Sequence, residues 1–250
     1  MIINKLVISL KRFGIIKTIR ICFNYPITLS KRKTFKENLE RSKSTEDKFT
    51  WIYKNNWWNS EESHSGSGST FENTENLRKE LPKIITKFNI ATILDAPCGD
   101  FNWMKELLPS LDVRYIGADI VQDLVDINNS KYQNESITFV KLNIVSDNLP
   151  HADLLICRDC LFHLSFEDIR GFLNNFINSN ISYLLTTTHK NKNNFKNSNI
   201  QTGDFRLIDL FSYPFNFPTT PLIRIDDFAS GGNEREMCLF TREQILSIEL

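Results

Sequence analysis

At 250 residues and 41% hydrophobic content the chain is long enough to build one full α/β core, and its 30 basic and 30 acidic residues leave no net charge. The balance is uneven: nine Lys and Arg precede the first acid, Glu37, so the remainder carries 21 bases against 30 acids, which argues against a nucleic-acid groove in the body. Five scattered cysteines with no cleavable signal pattern point to a reducing cytoplasm, and Lys5, Lys11, Arg12, Lys17 and Arg20 interrupt the only stretch apolar enough to suggest a bilayer span.

In "MIINKLVISLKRF", residues 1–13, Ile2, Ile3, Leu6, Val7, Leu10 and Phe13 fall on one side of a helix and Lys5, Lys11 and Arg12 on the other, with Ile8 as the exception. Two roles fit residues 2–20: peripheral contact with an anionic membrane on its cytoplasmic face, helped by "SKRK" at 30–33, or docking on the chain's own domain. Residues 34–50 are polar and charged and read as a linker. Residues 1–50 therefore form a basic amphipathic extension and linker, and 51–250 the main domain. Trp51, Tyr53, Trp57 and Trp58 precede "SHSGSGST" at 63–70, whose glycines and serines mark a mobile loop. A loop beside such aromatics suggests a lid over a substrate, with Trp58 and His64 as candidate substrate contacts, since tryptophan faces suit the apolar side of a sugar ring.

From Asn76 onward the pattern alternates. "NLRKELPKIITKF" predicts a helix despite Pro82, "ATILDA" a strand, "FNWMKELLPS" a helix, and "VRYIGADI" and "ITFVKLNI" strands. Strand "ADLLICRD", helix "SFEDIRGFLNNFINS" and strand "ISYLLTTTH" follow. "PLIRIDDF" and "REMCLFT", separated by "ASGGNE", read as an antiparallel hairpin closing the sheet edge. The fold class is α/β: a doubly wound, mostly parallel, seven-stranded sheet with helices on both faces and a C-terminal antiparallel hairpin.

Ligands of open parallel sheets sit at the carboxyl ends of the strands. "ILDAPCGD", residues 93–100, ends the first strand, yet keeps only Gly99 of the three glycines that a pyrophosphate-binding turn requires. A ligand without a pyrophosphate fits such a turn better, and S-adenosylmethionine is one: adenosine joined to an amino-acid tail. Asp119, at the tip of the second strand, is placed to accept hydrogen bonds from both ribose hydroxyls, Ile120 to cover an adenine face, and Asn143, at the third strand tip, to accept from the adenine amino group. Asn143 alternatively serves as a cap or turn residue.

With "ILDAPCGDFNWM", "YIGADI", "FVKLNI" and "ADLLICRDCLFHLS" in this order and spacing, residues 76–241 resemble the class I S-adenosylmethionine-dependent methyltransferases. They are most similar to small bacterial members with an "SGSGS" loop, often associated with surface-glycan biosynthesis. The resemblance implies a Rossmann-like fold, S-adenosylmethionine as cofactor, and methyl transfer to an oxygen of a glycan or its activated precursor. Candidate cofactor-binding residues are Asp95, Ala96, Pro97, Gly99, Phe101, Asp119, Ile120, Asn143, Ile144 and Arg158. Pro97 and Phe101 stand where the general pattern has its first and last glycines, and Asn143 where aspartate is common.

A hydroxyl acceptor needs a base, and "CRDCLFHLS" supplies His163, with Asp159 four residues earlier to orient it. The competing role for His163 is packing beneath the cofactor, and His189, ending the fifth strand, is the second candidate base. The C-x-x-C pair Cys157 and Cys160 lacks a second pair for zinc and the thioredoxin-like setting for redox chemistry, so no metal is expected, with a metal-dependent transfer through Asp159 left as an alternative that no carboxylate triad accompanies. In the segment 197–218, Asn199, Asp204 and Arg206 lie among aromatics as further substrate candidates, Arg206 to grip a phosphate on an activated sugar. Two other classes are weighed against this one: an NAD-dependent sugar-nucleotide oxidoreductase and a non-catalytic cofactor-binding scaffold.

Overall fold

The computed structural model describes residues 30–228 and 233–248. The amphipathic segment 2–20 lies outside them, as does most of the turn "ASGGNE". Two compact units divide between Ser42 and Lys43. In the first, residues 30–41 are helical (α1) and bury Phe35 and Leu39. In the second, Ser44 opens α2 (Thr45–Lys54) with a capping box: its hydroxyl accepts from Asp47 N, and the Asp47 carboxylate accepts from Ser44 N. The polar run 34–50, expected as a linker, is thus largely two helices: most of its charge is Lys, Glu and Arg, which favour helix, and Ser44 and Asp47 form a cap.

The remaining elements are α3 (Phe71–Phe88), β1 (Thr92–Asp95), α4 (Met104–Leu107), β2 (Arg114–Asp119), α5 (Gln122–Tyr132), β3 (Ile137–Lys141), β4 (Leu154–Cys157), α6 (Phe166–Asn178), β5 (Tyr183–His189), β6 (Ile223–Asp226), β7 (Arg235–Thr241) and α7 (Arg242–Leu246). The strands form one sheet in the order β3-β2-β1-β4-β5-β7-β6. Neighbours from β3 to β5 are parallel; β7 runs antiparallel to both β5 and β6. The hairpin therefore does close the sheet, with its second strand inside and its first at the edge.

Central strands read as continuous apolar runs because both faces are covered. Alternate residues point to opposite faces. Leu94, Leu155, Leu184, Cys238 and Phe240 meet Ile169, Phe172, Leu173 and Phe176 of α6. Their sequence neighbours Ile93, Ile156, Leu185, Met237 and Leu239 meet Leu77, Leu81, Ile84 and Ile85 of α3. That buried face carries α3 through Pro82, whose missing N–H weakens the helix locally. Thr70 caps α3 by accepting from Asn73 N, so the helix starts before the predicted Asn76. The helix predicted over 101–110 contracts to α4 and a 3₁₀ turn at Leu108–Ser110, since Phe101 lies in the left-handed region at φ +59°. Helix α5 is additional to the predicted elements.

This order places the carboxyl ends of β1, β2, β4 and β5 along one edge, and the chain reverses direction across the sheet between β1 and β4. That switch point opens a crevice.

Candidate active site

A cleft of about 400 Å³ occupies the switch point, within the range of about 300–1,000 Å³ common for small-molecule sites. At the β2 tip, Asp119 accepts backbone N–H groups from Gly99 (3.1 Å, Oδ2) and Val121 (3.0 Å, Oδ1). Each carboxylate oxygen keeps a further lone pair. At the β1 tip, Asp95 accepts from the Tyr115 hydroxyl at 2.7 Å. Burial pushes the Asp95 carboxyl up to about 7 and Asp119 up to about 6. Gly99 sits at φ +56°, and its carbonyl accepts from Asn128 Nδ2 at 2.8 Å. A Cβ there would lie 2.9 Å from Ser65 Cβ and closer still to its Oγ. Glycine is required for both backbone and space.

Asp100 explains why "APCGD" departs from a phosphate loop. Its carboxylate accepts from Ser63 Oγ (2.9 Å), His64 N (2.8 Å) and Ser65 Oγ (3.1 Å), while its own N–H donates to Ser65 Oγ at 2.9 Å. Asn102 Nδ2 adds bonds to Glu62 Oε1 and Ser69 O. Farther along, the Gly68 carbonyl accepts from Arg158 Nη2 at 2.8 Å. The loop 63–70, read from sequence as mobile, is fastened at both ends and lines the cleft from Ser65 to Ser69.

Across the cleft, four charged side chains form a network whose inner pair, Arg158 and Asp227, is buried. Arg158 grips Asp227 through Nε (2.9 Å) and Nη2 (3.2 Å), and Arg235 Nε lies 3.0 Å from Asp159 Oδ1. Burial works to raise the Asp159 carboxyl, but Arg158 and Arg235 hold it below its ordinary value. Asp159 adopts φ +50°, with its N–H donating to Thr187 Oγ1 at 2.9 Å. It therefore makes no hydrogen bond to His163, correcting the pairing inferred from their spacing. His163 Nδ1 instead lies 2.8 Å from the Asp204 carbonyl, and its ring packs against Trp58, centroids 5.5 Å apart. His189 Nδ1 accepts from Ile208 N at 3.2 Å. Burial lowers both imidazoles, His189 to about 4.

Asp95, Pro97, Gly99, Asp119, Ile120, Asn143, Ile144, Arg158, Asp159, His163, His189, Trp58 and His64 all line the cleft. Asn143 Oδ1 accepts from Val145 N at 3.0 Å, so part of its capacity goes to a turn. Five candidates lie elsewhere. Ala96 is wholly buried in the core, and Phe101 packs among Tyr115, Tyr132 and Phe139. Asn199 Oδ1 accepts from Phe166 N at the start of α6. Asp204 serves through its carbonyl, its carboxylate bonding Phe205 N. Arg206 is buried, donates to the carbonyls of Leu164 and Leu161, and lies over the Phe166 ring, so it grips the backbone rather than a phosphate. Sequence reasoning missed Asp100, Asp227 and Arg235. Charged residues flanking the apolar strands β6 and β7 were the available signal for the last two.

No protein-family model and no curated protein matches the chain. Solved structures do. An S-adenosylmethionine-dependent methyltransferase of Leishmania major is 12% identical with a TM-score of 0.57, over 82% of this chain and 89% of that one. The magnesium protoporphyrin IX methyltransferase of Synechocystis, with bound S-adenosylhomocysteine, is 10% identical with a TM-score of 0.51, over 68% and 84%. At such identities the likeness is one of fold: a Rossmann-like methyltransferase sheet with an antiparallel C-terminal strand pair, as expected from the sequence.

Proposed function

We propose that the chain is an S-adenosylmethionine-dependent methyltransferase that methylates a hydroxyl oxygen of a small molecule or glycan. The observation that carries this reading is the Asp119 carboxylate, fixed at the β2 tip by two backbone amides with lone pairs left for a ribose diol. The residues fit the cofactor in charge as well. Asp95 and Asp119 line the cleft without a salt bridge among the described residues, whereas Arg158 and Arg235 are engaged by Asp159 and Asp227, which favours a ligand bearing sulfonium and ammonium groups over a pyrophosphate. Asp100 takes the place of a phosphate cradle, and Arg158 is held by Asp227, so an NAD-dependent oxidoreductase lacks its anchor here.

Asp119 would hold the ribose, Ile120 and Asn143 would border the adenine, and Ser65 to Ser69 would offer hydroxyls and amides to the amino-acid tail. When bound, S-adenosylmethionine supplies an electrophilic methyl group on a sulfur that departs neutral. The chain's task is to orient an acceptor, exclude water and receive a proton. His163 is suited to the last: a carbonyl oxygen only accepts, so Nδ1 carries the hydrogen toward Asp204 and Nε2 keeps its lone pair. Trp58 and Phe205 border the cleft as aromatic faces, which supports a sugar ring as acceptor. The phosphate of an activated sugar loses its expected partner in Arg206.

Calorimetry with S-adenosylmethionine, S-adenosylhomocysteine and NAD tests the reading. Binding of the first two and not the third is the expected result; binding of NAD alone would overturn it. We further read residues 2–20 as a peripheral contact with anionic membrane, on their basic amphipathic pattern; among the described residues no helix is long and apolar enough to cross one. Sedimentation with anionic vesicles, with and without residues 2–20, checks that contact.

A further inference from the structure

Two imidazoles line the same cleft, and the backbone of one segment ties both at Nδ1. The ties are of opposite sense. The Asp204 carbonyl forces His163 to donate from Nδ1, leaving a lone pair at Nε2. The Ile208 N–H forces His189 to accept at Nδ1, leaving the hydrogen at Nε2. Both rings pack on Phe162, with centroids 4.6 and 5.2 Å away, and on Phe205, at 5.8 and 6.3 Å. One cleft is therefore lined by one imidazole left as a proton acceptor and one left as a proton donor, both packed on the same two phenylalanines.

We propose that His163 and His189 together select an acceptor with two adjacent oxygens, the vicinal diol of a sugar ring or its equivalent. His163 receives the proton of the reacting hydroxyl at Nε2, and His189 donates its Nε2 hydrogen to the neighbouring oxygen. The proposal rests on the methyltransferase reading. As the reacting oxygen bonds to the methyl carbon, the carbon–sulfur electron pair stays with sulfur, and the hydroxyl proton ends on His163. A donor aimed at the reacting oxygen would draw electron density from the nucleophile, so the adjacent oxygen is its productive target.

Neighbouring charges leave this division intact. Asp159, near both rings, is engaged by Arg158 and Arg235. Asp204 bonds Phe205 N, and Arg206 bonds backbone carbonyls. Burial, first among the causes, keeps both rings neutral near pH 7.

The first test needs neither cofactor nor acceptor. Long-range ¹H–¹⁵N correlation spectra of the full chain labelled in histidine, assigned with His163→Gln and His189→Gln, should show hydrogen on Nδ1 of His163 and on Nε2 of His189 near neutral pH. The opposite tautomer, or an imidazolium, at either residue overturns the proposal. The second test adds S-adenosylhomocysteine and compares cis-1,2-cyclohexanediol with cyclohexanol. The diol should perturb Nε2 of both residues and cyclohexanol that of His163 alone. His189→Asn keeps an acceptor for Ile208 N but lacks the distal donor, and should weaken diol binding about tenfold, the worth of one hydrogen bond. His189→Gln restores a distal N–H and should recover most of it. Equal responses to the two probes, or none, overturn the proposal. Failure of S-adenosylhomocysteine to bind in calorimetry instead defeats the methyltransferase reading beneath it, whatever the tautomers.

Discussion

The two sides of the cleft handle buried carboxylates in opposite ways. On the β1–β2 side, Asp95 and Asp119 are buried with no salt bridge among the described residues, and desolvation lifts them to about 7 and 6. On the β4–β7 side, Asp227 is wholly buried and Asp159 partly so, but both meet Arg158 and Arg235. A compensated carboxylate is architecture. An uncompensated one is a cost that the fold carries for a ligand, and a cationic ligand relieves it.

The largest expected effect breaks the compensated side. Arg158→Met leaves Asp227, wholly buried, without its bidentate partner and should cost about 3–5 kcal/mol of stability in chemical denaturation. A variant as stable as the parent would erase the contrast between the two sides. On the other side the loss should be in binding. Asp119→Ala removes a charged acceptor worth about 1.5–3 kcal/mol, so affinity for S-adenosylhomocysteine should fall roughly 10- to 150-fold by calorimetry.

Smaller effects sharpen the comparison. Gly99→Ala places a side chain at φ +56° against Ser65 and should cost about 1–2 kcal/mol, seen as a lower Tm; a neutral outcome would mean that the loop 63–70 yields freely. The pH response tests the sign. The Asp95 carboxyl is raised from 3.8 to about 7 on folding, so between these values the folded chain holds more protons than the unfolded one. Stability of the ligand-free protein should therefore fall as pH rises from 4 to 7, and Asp95→Asn should flatten that slope while leaving a hydrogen-bond acceptor for Tyr115. Affinity for the cationic cofactor should run the other way, rising as both carboxylates ionise. A Tm series and calorimetry over the same pH range measure the two trends.

The strands and their tip residues were legible because a buried parallel strand is an uninterrupted apolar run and its chemistry sits at its carboxyl end; Asp95, Asp119 and His189 follow from that rule. What failed to show has physical reasons. Asp100 acts on Ser63, His64 and Ser65, which lie 35–37 residues earlier, a contact that only the fold creates. The partner of His163 is a backbone carbonyl 41 residues away, and a carbonyl leaves no trace in sequence. The four-residue spacing to Asp159 suggested a pairing, but the left-handed backbone at Asp159 turns its carboxylate to the arginines. Arg206 among aromatics read as a grip for a phosphate, whereas the carbonyls of Leu161 and Leu164 make its burial tolerable. Helix α5 buries Leu124, Val125 and Asn128 at regular helical spacing, but one of the three is an asparagine and the apolar Ile127 is exposed, so no apolar stripe stands out.

Strand β7 lies between β5 and β6, and this bears on how the chain is made. While a ribosome is still synthesising the segment before residue 235, β5 exposes one row of backbone amides and carbonyls that nothing yet pairs. His189, whose register partner is Arg235, waits with it. A nascent chain stalled there is open to pairing with another of its kind, so premature termination should yield insoluble aggregates rather than a shortened soluble fold.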